Sequence, residues 1–166
     1  EKRAVFRSNL FEFAYKNGQD IFNKEENILF SPLSLYLSLI ILHEGAGGET
    51  KKDIARYLGL DRDLKSFYGL VYDEFLYESD RGRFLSNNLF LVNESSFQKE
   101  FKKDLEDFYQ GYLYEIDFVK DQPEKILEDF IEKNTKGYFK PDLDLSKDSN
   151  LVLVNSLDYG ALWLDR

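Results

Sequence analysis

Apolar positions recur at helical spacing from the start of the chain. Phe6, Leu10, Phe13 and Ala14 share one face at steps of three and four, which predicts a helix from Phe6 to about Lys16. Asn17-Gly18 is expected to end it, since both residues tolerate left-handed backbone. Ser31 and Pro32 read as an N-cap and a first helical residue, where the missing N–H of proline costs nothing. Leu33 to Leu42 is apolar on nearly every side, the pattern of a buried helix. The run Gly45-Ala46-Gly47-Gly48 closes it. Thr50 with Asp53 three residues on predicts the cap of a short helix that stops at Gly59.

The cleanest amphipathic stripe is Leu64, Phe67, Tyr68, Val71, Tyr72, Phe75 and Leu76. It predicts a helix from Leu64 to Glu78, with Lys65, Asp73, Glu74 and Glu78 on the opposite face. Phe84 to Val92 reads as a strand. Ser95 to Tyr109 reads as a helix that buries Phe97, Phe101, Leu105 and Phe108. Tyr112, Tyr114, Ile116 and Phe118 alternate with Leu113, Glu115 and Asp117, which is strand periodicity. Pro123 opens a helix with Ile126, Leu127, Phe130 and Ile131 inward, ended by Gly137, and Leu151 to Leu157 is a further strand. Five or six helices and three strands make an α+β chain. With no internal repeat and no Pro-, Gly- or Ser-rich linker, residues 1–166 are expected to form part of one domain.

Composition narrows the function classes. Apolar residues at 43% and aromatics at 16% argue against disorder. The absence of cysteine excludes a disulfide framework, a thiolate metal site and a Cys nucleophile within these residues. Thirty-one acidic against 22 basic residues give a net charge of −9, which argues against nucleic acid or an anionic membrane as partner. No apolar run approaches the roughly 18–20 residues of a membrane span. No stretch reads as a signal peptide, so the chain is expected to be cytosolic or already processed.

Candidate chemistry is sparse. His43 is the sole histidine and stands beside Glu44 at the end of the apolar helix, where a structural role fits better than a general base. The Gly45–Gly48 run lacks the preceding strand and following Lys-Ser/Thr of a phosphate loop. Asp142, Asp144, Ser146 and Asp148 have the alternation of a calcium loop, but Lys147 stands where the turn needs Gly and Leu153 where a bidentate Glu is needed. Asn93-Glu94-Ser95 is an N-glycosylation sequon. Lys51-Lys52 and Lys102-Lys103 are solvated pairs on acidic segments.

An ordered set of motifs carries more. Asn27-Ile-Leu-Phe-Ser-Pro-Leu-Ser running into an apolar helix, then Gly45-Ala-Gly-Gly-Glu-Thr, resembles the second helix and following turn of the serpin fold. Phe84-Leu-Ser-Asn-Asn-Leu-Phe-Leu-Val is similar to the serpin strand with an Ala/Ser-Asn-x-Leu-Phe pattern, and Tyr109 to Phe118 to the helix end and edge strand after it. Ile131-Glu-Lys-Asn-Thr-Lys-Gly resembles the end of the helix lying across the main sheet. Leu151-Val-Leu-Val-Asn-Ser-Leu resembles the third strand of that sheet, followed at family spacing by Trp163. Phe130 replaces a usual Trp and Glu128 a usual Asn. Asp158-Tyr159-Gly160-Ala161 replaces the common Tyr-Phe-Lys-Gly and puts a charge near the top of the sheet.

The resemblance implies an α+β serpin fold, here the N-terminal helices plus strands of the central mixed sheet, incomplete without the C-terminal half. It implies an inhibitor of serine or cysteine proteases whose reactive loop, on that missing half, is cleaved and inserts into the sheet. The alternative is a non-inhibitory serpin with a carrier, chaperone or storage role. Ser31, Ser34 and Asn155 match the family's shutter and Trp163 its breach; no catalytic residue, cofactor or metal is implied. The expected partners are the C-terminal fragment of the same serpin, because an unpaired apolar strand at Leu151–Leu157 is an aggregation site, and a target protease. Heparin is not expected to act through the acidic face of the Leu64–Glu78 helix. The family resemblance favours an extracellular, secreted protein, with a cytoplasmic one as the alternative.

Overall fold

The computed structural model describes residues 2–23, 27–60, 68–69, 77–79, 82–93, 99–109 and 111–162. They fall into two compact units, Glu1–Val71 and Tyr72–Arg166.

The first unit holds α1 (Lys2–Phe22), α2 (Pro32–Gly45) and α3 (Gly48–Tyr57). Ser31 caps α2 as expected. Its backbone is extended, its hydroxyl accepts the Ser34 N–H at 3.3 Å, and Pro32 takes the first helical position. The helix buries one face, Tyr36, Leu37, Ile40 and Ile41, while Leu35 stays exposed, so the expectation of burial on nearly every side is not met within these residues. Phe6 and Phe13 of α1 stand edge-on to Tyr36, with ring centroids at 5.8 and 5.1 Å. The buried Tyr36 hydroxyl donates to the Leu58 carbonyl at 3.2 Å, and burial raises its pKa.

Three helix boundaries in this unit differ from the sequence expectation, the first being the start of α1 at Lys2 instead of Phe6. α1 runs through Asn17-Gly18 to Phe22. Asn17 stays helical because its side-chain amide donates to the Phe13 carbonyl at 2.8 Å and its Oδ1 accepts the Tyr57 hydroxyl at 2.5 Å. α3 starts at Gly48, with Gly47 at the cap, so Thr50 lies inside the first turn. Its far end is as expected. Gly59 sits at φ 68, Gly59 N–H donates to the Arg56 carbonyl at 3.2 Å, and Leu60 N–H donates to the Ala55 carbonyl at 2.9 Å, a Schellman ending.

The second unit is a four-stranded mixed sheet with two helices. The strands are β1 (Tyr77–Ser79), β2 (Gly82–Asn93), β3 (Gly111–Ile116) and β4 (Leu151–Ala161); the helices are α4 (Lys99–Phe108) and α5 (Pro123–Asn134). β2 is the spine. β4 runs antiparallel to it along its length, from Gly82↔Ala161 to Val92↔Leu151. The opposite edge of β2 is divided between β1, antiparallel at Gly82–Phe84, and β3, parallel at Asn88–Asn93. A parallel neighbour needs a crossover, and α4 lies in that connection. The Leu64–Glu78 helix is corrected at its end, since Tyr77–Ser79 is strand; Tyr68 and Gly69 are helical, and the remaining positions through Leu76 lie outside the described residues.

Both faces of the sheet are covered. On one, Leu89, Leu91, Val152 and Val154 pack with Ile116, Phe118, Leu127, Phe130, Leu143 and Leu145, which seats α5. On the other, Phe90 meets Phe101 of α4 edge-on at 5.6 Å, and Leu105 lies against Gly111. Phe101 and Leu105 are buried as expected, but Phe108 is exposed and Tyr109 takes the next buried place. Burial in β3 follows neither set of alternate residues throughout: Leu113 is buried beside Phe90, Tyr112 and Tyr114 are half exposed with Tyr112 edge-on to Phe130 of α5 at 6.5 Å, and Ile116 is buried. Packing of α4 selects the face that carries Leu113.

Candidate functional site

The residues that carry the candidate site lie on the seam between β2 and β4. The register sets Asn155 directly opposite Asn88, with Ser86 diagonal to it. Alternate residues of a strand share a face, so all three side chains point the same way. Asn155 Nδ2 donates to Ser86 Oγ at 2.7 Å and to Asn88 Oδ1 at 2.8 Å. Asn88 Nδ2 donates to the Tyr109 carbonyl at 2.9 Å. Ser86 and Asn88 are fully buried. The same strand face carries Phe90, Val92 and Leu153, so the network is a polar island in an apolar setting, where each group must be partnered. It ties β4 to β2, and β2 to the corner between α4 and β3.

Nearer the Ala161 end of β4, Arg83 Nε donates to Asp158 Oδ2 at 2.5 Å on the opposite face of the sheet. Phe84 and Tyr159 meet edge-on at 5.6 Å. The charge that the sequence places at 158 is thus matched across the strands, with the Asp158 side chain only 14% exposed.

Ser31 and Ser34 are brought together in the first turn of α2, where Ser34 also accepts the Ser38 hydroxyl on its carbonyl at 3.0 Å. Asn155 joins Ser86 and Asn88 in the other unit. Trp163 lies outside the described residues. Asn93 is exposed at the end of β2. Its N–H donates to the Asn150 carbonyl at 3.0 Å, and its side-chain amide reaches Asn150 Oδ1 at 3.4 Å. His43 Nδ1 lies 3.4 Å from Glu44 Oε1. Burial, then the charge of Lys51, lowers the His43 pKa, so the ring is neutral at pH 7. Asp142 and Asp144 alternate with Leu143 and Leu145, whose side chains pack on the core beneath α5, which accounts for the spacing without calcium.

Ser86 and Asn88 are the site residues that sequence reasoning missed. Their signal was two polar residues at alternate positions of a strand whose continuing face, Phe90 and Val92, is apolar.

Comparison with known proteins identifies the family of the chain. A family model described as Serpin (serine protease inhibitor) matches residues 8–166. An alpha-1-antiproteinase of Mus saxicola is 25% identical over 94% of the chain and 40% of its own length. A serpin-like protein of Thermococcus kodakarensis is 30% identical over the whole chain and 40% of its length. Human thyroxine-binding globulin superposes with a TM-score of 0.84 at 20% identity, over 96% of this chain and 46% of that one. The thermophilic serpin tengpin in its latent state superposes with 0.82 at 21% identity, over 98% and 45%. The chain spans about two fifths of the length of the curated relatives it matches. It belongs to the serpin family.

Proposed function

We propose that this chain is the N-terminal part of a single serpin domain, and that the whole protein inhibits serine or cysteine proteases. The target attacks an exposed loop carried by the C-terminal part. The cleaved loop then enters the central sheet beside β4 as an added strand, and the bound protease is carried with it. The chain supplies no catalytic group in this reading. The C-terminal portion of the same serpin is its first partner.

The observation that supports this reading is the amide of Asn155. A fixed sheet gains little from a polar link at its centre, because apolar residues of the same size would pack without any partner to satisfy. A sheet that must part beside β4 and close again gains a link that keeps β4 on β2 while the far edge of β4 opens, made by an amide that both donates and accepts. Ser31 and Ser34 serve the same opening through small hydroxyl side chains, and Trp163 marks where insertion begins. Asn93 is a glycan acceptor if the protein is secreted; loss of a mass shift in Asn93→Gln material from the native host tests that. Heparin does not act through residues 64–78.

The non-inhibitory reading keeps one observation in its favour: Asp158 at a position where the family pattern is aromatic. Incubating the whole gene product with trypsin-like, chymotrypsin-like and papain-like proteases separates the two. Inhibition yields a protease complex that survives boiling in SDS. Loop cleavage by every protease without such a complex assigns the carrier, chaperone or storage role instead.

A further inference from the structure

Asn17-Gly18 is the one Asn-Gly step in these 166 residues. Asparagine is a thermolabile residue. It is most labile before glycine, which has no Cβ to hinder approach to its backbone nitrogen. In an unfolded chain the Gly18 nitrogen, once it has given its proton to solvent, attacks Cγ of Asn17. The Cγ–Nδ2 bond breaks, ammonia leaves, and a five-membered succinimide remains. Water then opens the ring on either side. Attack at Cγ gives aspartate. Attack at the main-chain carbonyl gives isoaspartate, with an extra methylene in the backbone.

The fold withholds each part of this reaction. α1 runs through both residues, and a helical Gly18 turns its N–H toward the carbonyl of Ala14 and away from the Asn17 side chain. Both ends of that side chain are engaged. Nδ2 donates to the Phe13 carbonyl at 2.8 Å, and Oδ1 accepts the Tyr57 hydroxyl at 2.5 Å. The first bond lies within α1 and lasts only as long as the helix does. The second comes from outside it. Tyr57 is the last residue of α3, and its ring stands edge-on to Phe13 at 5.6 Å, with Lys16 Nζ 5.2 Å from its centroid. Asn17 and Gly18 are half-buried, so water reaches a ring formed there.

We propose that Asn17 is a modification site guarded by the Tyr57 hydroxyl, and that its conversion to isoaspartate ends α1 where its sequence signals a stop. Hydrolysis does not run back to the amide, so the product accumulates with the time that the end of α1 spends detached from Tyr57. The added methylene breaks the ladder of bonds from each residue to the fourth before it. The last turn, through Phe22 and its edge contact with Phe30 at 6.5 Å, then loses its seat. The guard consists of α1 and α3 residues of one unit, and the proposal stands apart from protease inhibition.

The test incubates the whole protein in mildly alkaline buffer and follows the peptide that carries Asn17 by mass spectrometry, with its aspartate and isoaspartate forms separated by chromatography. Protein unfolded in urea gives the unguarded rate, and folded protein should convert far more slowly. Tyr57→Phe removes the hydroxyl but keeps the ring against Phe13 and Lys16. It should speed conversion in the folded protein about fivefold, the equivalent of one hydrogen bond of about 1 kcal/mol. Tyr36→Phe removes another tyrosine hydroxyl bond of the same unit and should leave the rate at the wild-type value. In converted protein the amides from Gly18 to Phe22 should exchange hydrogen faster. Asn17→Asp, which brings the same charge on an ordinary backbone, should leave them protected. A folded protein that converts as fast as the unfolded one, a Tyr57→Phe rate no higher than that of wild type or of Tyr36→Phe, or exchange unaltered by isoaspartate overturns the proposal.

Discussion

Asn155→Ala removes at once the two hydrogen bonds that the Asn155 amide donates to Ser86 and Asn88. Two hydrogen bonds of about 1 kcal/mol each are lost. The acceptors left behind differ. Ser86 is a hydroxyl and can turn its own proton to another neighbour. Asn88 cannot flip its amide without giving up the bond from its Nδ2 to the Tyr109 carbonyl at 2.9 Å, so its buried Oδ1 loses the donor that Asn155 supplies. That adds a penalty at the lower end of about 1–3 kcal/mol, and the total is about 2–4 kcal/mol. Asn155→Asp is the sharper probe. It keeps the volume but sets carboxylate oxygens where Nδ2 lay 2.7 Å from Ser86 Oγ and 2.8 Å from Asn88 Oδ1. At pH 7 this variant should be less stable than Asn155→Ala. A half-buried aspartate facing an acceptor has its folded pKa raised above the unfolded value of about 3.9. Its penalty is therefore absent at low pH, where the protonated acid donates, and appears as pH rises. Relative to Asn155→Ala, the aspartate variant should regain stability between about pH 7 and pH 4. Urea unfolding of the whole protein, by equilibrium where refolding is reversible and by unfolding rate otherwise, measures both. An alanine variant within about 0.5 kcal/mol of wild type, or an aspartate variant with no acid recovery, would refute the donor role of Asn155.

Asp158→Asn should lower stability by about 1 kcal/mol, because the ion pair with Arg83 is only partly exposed, and the loss should shrink in about 1 M salt. The effect is read by thermal melts at two salt concentrations. Gly111→Ala sets a Cβ 2.6 Å from Leu105 Cδ1, and Leu105 is fully buried with no room to retreat, so a cost of about 1–3 kcal/mol is expected. Adding Leu105→Ala should relieve part of that cost, giving a double variant less unstable than the sum of the singles. His43 has a folded pKa below its ordinary 6.5, so the stability it contributes is complete above that value and is lost as pH falls through the lower folded pKa. His43→Gln should flatten the drop in stability between about pH 7 and pH 5 relative to wild type.

The elements that were legible in the sequence are those whose own period sufficed. Ser31 and Pro32 fix the start of α2 with no help from elsewhere, and Gly59 fixes the end of α3 because a Schellman ending needs positive φ. The end of α1 is different. Asn17-Gly18 is a legitimate stop signal, and it loses to a hydroxyl 40 residues away on Tyr57, which no local window contains. Strand periodicity has a similar blind spot. A period of two in β3 says that alternate residues share a face but not which face is buried. Once α4 packs against Leu113, the tyrosines fall on the α5 side, where Tyr112 meets Phe130 and both tyrosines stay half exposed. In α4 the choice between Phe108 and Tyr109 depends on whether the buried stripe steps by three or four, and the step of four, Phe101, Leu105, Tyr109, prevails.

The candidate site was half legible for a related reason. Asn155 was found by its likeness to a family strand, whereas Ser86 and Asn88 carry meaning only once β4 is laid against β2 in register. Asp158 makes the point from the opposite direction. Read alone, a carboxylate inside an apolar strand is a liability, since a half-buried charge without a partner raises the cost of keeping the strand in the sheet. Read across the seam, it meets Arg83, a residue 75 positions earlier in the chain. Two of the departures from a plain apolar strand, Asn155 and Asp158, bind β4 to β2 and lie on opposite faces. A strand held to one neighbour by links on both faces has little freedom to part along that seam. If the sheet opens at all, it must open on the other side of β4.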